Sequence, residues 1–107
     1  MENRQENIRN NPPDRFNEMA EKDKKIAVQW LDGNIQPRKT PLPDWSSYGI
    51  KHLLERDTKL YMTNGEFKGA MLQCGYKPVD AYELNWYFCI SKRSPALKYK
   101  RRKVSSQ

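Results

Sequence analysis

Seven of the last sixteen residues are basic and none is acidic: Lys92, Arg93, Lys98, Lys100, Arg101, Arg102 and Lys103. Ammonium and guanidinium groups at this density attract polyanions. On a phosphate backbone they displace condensed counterions, so the affinity they give falls steeply with salt. With Tyr99 among them, the run can follow phosphates or enter a groove. The rest of the chain is balanced, with eight basic and eight acidic residues in 1–45 and five of each in 46–91. The net charge of +7 therefore belongs entirely to the last stretch, and the protein reads as a neutral body with a cationic tail. The same run can also serve only as a solubilising end that meets any polyanion without specificity.

Other reactive residue types are sparse. The single histidine, His52, has no acid, thiol or hydroxyl set beside it by a known spacing, and Cys74 and Cys89 are isolated, with no CxxC pair. No zinc set of the usual spacing can be written from these residues. GxSxG, Walker and HExxH motifs are absent, and Asp32, Asp44, Glu55 and Asp57 read as surface carboxylates. The expectation is a non-enzymatic protein without cofactor or metal, its thiols buried in a reducing compartment. The opening "MENRQENIRNNPPD" lacks the apolar block of a signal peptide and no apolar run spans a membrane, which predicts a cytoplasmic protein with no membrane partner.

A body must position the tail. With 107 residues and 36% apolar content the chain suffices for one small domain, its core built on three Trp, six Tyr and three Phe. The mean hydropathy of -1.05 is strongly polar, so the chain ends cannot share that core. Residues 1–13 are predicted to be a disordered arm, 14–91 the domain and 92–107 the basic tail. A first helix is expected from Asp14 to Asp32, started by Pro12 and Pro13 and stopped by Gly33. The segment "NIQPRKTPLPDW" then runs extended as a connector. A second helix, Tyr48 to Arg56, is capped by Ser46 or Ser47, with Ile50, Leu53 and Leu54 inward and Lys51, Glu55 and Arg56 toward water.

The strongest local signal is "TNGEFKGAMLQCG". Thr63 and Glu66 form a capping box, Phe67, Ala70, Met71 and Cys74 share one face, and Gly75 supplies a left-handed stop before Pro78. In "NWYFCIS", Trp86, Phe88 and Ile90 alternate with Tyr87, Cys89 and Ser91. Paired with "YKPV" around a loop at Asp80 to Leu84, this predicts a C-terminal β-hairpin. The fold expected is α+β, three helices followed by a hairpin in winged-helix order.

In that plan the third helix enters the major groove and the hairpin loop meets the backbone. Its outward arc holds Gly65, Lys68, Gly69, Leu72 and Gln73. Lys68 can meet phosphate or guanine and Gln73 an adenine edge. With Lys51 and the seven tail cations these make the expected nucleic-acid surface, DNA favoured and RNA possible. Gly65, Gly69 and Leu72 also make a small, mildly apolar face that suits close approach by a partner.

The run "SSYGIKHLLER…YMTNGEFKGAMLQCGY…LNWYFCISKRSP", roughly residues 46–95, resembles small accessory proteins of bacteriophages and other mobile elements of bacteria. The resemblance implies a winged-helix-like core and either a DNA-binding regulator or an inhibitor of a host nucleic-acid enzyme such as a CRISPR effector. Known small inhibitors of that kind are often acidic DNA mimics, and the basic tail departs from them.

Overall fold

A computed structural model describes residues 12–98, and the cations Lys100, Arg101, Arg102 and Lys103 lie outside them, as does most of the expected arm. A 3-10 turn (Pro13–Glu18) precedes α1 (Glu21–Asn34), α2 (Ser47–Thr58) and α3 (Asn64–Gln73). A last helical turn follows at residues 95–98.

The helix boundaries follow local chemistry. Ser46 accepts the Gly49 amide at the start of α2. The α3 capping box is complete, the Glu66 amide donating to the Thr63 hydroxyl at 3.1 Å and the Thr63 amide to the Glu66 carboxylate at 2.9 Å. Gly75 ends α3 at φ +92°, a conformation that costs a side-chain-bearing residue much more than glycine.

Two expected boundaries move. The first helix divides, because Met19 and Ala20 are extended. Phe16 packs against Gly69 of α3 while Ala27, Trp30 and Leu31 join the same core from α1, and the short break lets both groups be buried. Gly33 does not stop α1, which runs on to Asn34.

The winged-helix expectation is overturned. Among the described residues there is no β-strand, only isolated antiparallel bridges between Pro37 and Ile90 and between Pro78 and Phe88. The alternation in the aromatic segment is real: Trp86, Phe88 and Ile90 are buried, while Tyr87 is 39% exposed. Its neighbours are the surprise. On one side lies the proline-rich connector, through Ser91 to Gln36 at 2.7 Å, Arg38 to Cys89 at 3.1 Å and Leu42 to Phe88 at 3.0 Å. On the other, Val79 donates to Tyr87 at 2.8 Å. Pro37, Pro41 and Pro43 interrupt one flank and Pro78 the other. A residue without an N–H cannot continue a ladder, so pairing stops at single bridges. The connector is thus part of the core, with Ile35 and Leu42 buried.

Candidate nucleic-acid interface

α3 is enclosed. Gly65, Phe67, Lys68, Gly69, Ala70 and Met71 are all buried, which leaves most of the expected outer arc covered. Gly69 shows why. A Cβ added there would stand 2.2 Å from the Pro13 carbonyl oxygen and 2.3 Å from the Phe16 Cβ. The close approach that this glycine permits is made by the chain's own 3-10 turn. What remains of the outer arc is Leu72, 41% exposed, and the exposed Gln73. They share a shallow groove of about 540 Å³ with Pro12, Pro13, Asp14, Phe16, Asn17 and Gly69.

Lys68 is only 2% exposed. Its Nζ donates to the Glu83 carbonyl at 3.4 Å and sits 4.9 Å from the centre of the Trp86 ring. Burial pushes its pKa down to about 8. It ties the 80–85 loop to α3 together with Asn64, which donates to the Leu84 carbonyl at 3.0 Å. Lys51, expected at the surface, is also buried and pairs with Glu55 at 3.2 Å. Neither ammonium is presented to a phosphate.

Glu55 is a residue that the sequence reading misjudged. It is buried, its Oε2 accepts both Lys51 and the Met62 amide, the latter at 2.9 Å, and its Oε1 lies 3.4 Å from His52 Nδ1. Half-exposed His52 stacks edge-on against Tyr48 with centroids 4.4 Å apart. The i,i+3 and i,i+4 spacings of these groups were the available signal. Asp57 likewise accepts the Trp30 indole N–H at 2.9 Å. Near the end of α3, the pKa of Cys74 is raised to about 11 by burial and by the Asp32 carboxylate. This thiol is suppressed as a nucleophile, because the thiolate is the reactive form.

The C-terminal cations stand differently. Lys92, Arg93 and Lys98 are exposed. Between them the chain is fastened to the body, which therefore extends past the expected boundary at Ser91. Ser94 is fully buried, its hydroxyl accepting the Gln36 amide at 2.8 Å and donating to the Ser91 carbonyl at 2.6 Å. Ala96 and Leu97 are buried at 2% and 3% exposure. Three residues after Cys89, Lys92 leaves the same extended pairing whose edge carries an open pocket of about 430 Å³, lined in part by Pro37, Arg38, Lys77 and Cys89. The Arg38 guanidinium donates to the Thr40 and Pro41 carbonyls and so braces the connector.

Every buried side-chain nitrogen and oxygen among the described residues has a hydrogen-bond partner, so no unsatisfied polar atom is held ready for a ligand. No described helix is long and apolar enough to cross a membrane. Comparison with known proteins finds no matching family model, no similar curated protein and no similar solved structure.

Proposed function

We propose that this chain is a small, non-enzymatic, cytoplasmic accessory protein of phage or mobile-element type that binds nucleic acid through its C-terminal basic run. The reading helix has no part in this: α3 is packed on nearly every side. The observation that carries the proposal is the anchoring at Ser94, Ala96 and Leu97. It fixes Lys92, Arg93 and Lys98 at the edge of a folded body, immediately before Lys100, Arg101, Arg102 and Lys103. Cations attached to a rigid base lose less freedom on meeting phosphates than the same charges on a free peptide. The contact is electrostatic and follows the backbone, with duplex DNA the favoured ligand.

The test is fluorescence anisotropy with a labelled duplex and, in parallel, a single-stranded RNA, each across a salt series. Affinity should fall log-linearly with salt. Replacing Lys100, Arg101, Arg102 and Lys103 with glutamine should flatten the slope by up to ~3.6, at about 0.9 per phosphate contact on duplex. Truncation after Ser91 is unsuitable, because it removes Ser94, Ala96 and Leu97 from the core. Absence of binding at low salt, or an unchanged slope in the glutamine variant, would overturn the proposal.

A further inference from the structure

One surface has the opposite character. Pro41, Pro43, Val79, Asp80, Glu83 and Tyr87 line an open groove of about 370 Å³. It forms where the two proline-interrupted segments flank the aromatic run. Trp86 and Phe88 turn inward there, leaving Tyr87 at 39% and Val79 at 56% exposure on the outer side. The rim carries the carboxylates of Asp80 and Glu83. Its shape is held by fixed contacts: Lys68 to the Glu83 carbonyl at 3.4 Å, Trp86 Nε1 to the Ala81 carbonyl at 3.0 Å, and the Tyr82 amide to the Asp80 carboxylate at 2.9 Å.

An apolar floor with an acidic rim suits an extended cationic peptide. Lysine and arginine lay their alkyl stems along apolar surface while their charged heads reach carboxylates. We propose that this groove binds the chain's own basic run, residues 99–107, in the same molecule. Lys100, Arg101, Arg102 and Lys103 complement the two carboxylates, and Tyr99 and Val104 complement the floor. The reach is sufficient. The run starts just beyond the turn fastened at Gln36, one end of the connector pairing whose other end, Leu42 to Phe88, borders the groove. Phe88 and Ser91, three residues apart, hold the two ends of that pairing, which therefore lie ~10 Å apart, and the five residues from Tyr99 to Lys103 span up to ~17 Å.

Resting on the function proposed above, this docking makes nucleic acid and groove compete for one set of cations. The full-length protein, mixed from isotope-labelled and unlabelled chains, is treated with a carbodiimide that joins carboxylates to amines. The expected products are amides from Lys100 or Lys103 to Asp80 or Glu83 within one chain, reduced by added duplex. They should disappear in D80N/E83Q, whose urea midpoint confirms that it folds. Crosslinks spread equally to Asp14, Glu18 and Glu21 would overturn the docking, as would labelled-to-unlabelled pairs, which indicate a second copy. Duplex binding without these crosslinks removes the docking alone. Crosslinks in a chain without nucleic-acid affinity leave the docking standing and remove the function proposed above.

Discussion

Replacing Gly69 with alanine should destabilise the protein, against the usual effect of such a change. Inside a helix alanine is favoured over glycine by about 1 kcal/mol. At Gly33, where an added Cβ meets nothing within 4 Å, Gly33→Ala should return up to that gain. At Gly69 the new methyl would lie 2.2 Å from a backbone oxygen and 2.3 Å from the Phe16 Cβ, neither of which can swing aside as a side-chain tip does. The 3-10 turn has to shift or detach. Loss of the Phe16 anchor, a ring 5% exposed, costs about 1.5–3 kcal/mol. After the helical gain is subtracted, the net loss is about 0.5–2 kcal/mol. Urea titrations followed by tryptophan fluorescence measure it through the midpoint at constant slope. A double-mutant cycle with Phe16→Ala adds a second readout. Once the turn has lost its ring, Gly69→Ala should cost less, with about 1 kcal/mol of coupling. A Gly69→Ala protein more stable than the parent, or additive with Phe16→Ala, would refute the packing argument.

Lys68 makes stability depend on pH. Its folded pKa near 8 lies below the unfolded value, so from pH 8 upward the unfolded chain binds more protons and stability rises with pH. The raised pKa values of Cys74, from about pH 8, and of Tyr76, from about pH 9, act the other way, since the unfolded thiol and phenol ionise first, and they blunt the rise before reversing it. The rise should therefore be seen in urea midpoints between pH 8 and 9 and vanish in Lys68→Met. A flat parent profile there, or a rise that survives the substitution, contradicts the burial of that amine. Glu55→Ala leaves the Lys51 ammonium and the Met62 amide without their acceptor, which should cost about 2–4 kcal/mol. Glu55→Gln, which keeps an acceptor oxygen, should cost clearly less; equal losses in the two variants would deny the carboxylate this role.

What the sequence determined by itself is what acts over a few residues or needs only counting. The segregation of charge into residues 92–107 is a matter of composition. The Thr63 and Glu66 capping box joins groups three residues apart, Gly75 answers a local backbone demand, and the alternation of Trp86, Phe88 and Ile90 reports one buried side of an extended segment. The tertiary structure decided which surfaces those elements meet. Period two is the same whether an extended segment pairs with a hairpin partner or with a distant proline-rich connector. Only the fold brought Gln36 to Ser94, 58 residues away, and closed the core with Ala96 and Leu97. The covering of α3 was hidden for the same reason. Helical spacing names an outer arc, but the 3-10 turn that occupies Gly69 and the loop that caps Lys68, fifteen residues on, come from elsewhere in the chain. Lysines on an arc read as surface charges until long-range packing removes their water, and that packing decided which cations of this protein remain for a partner.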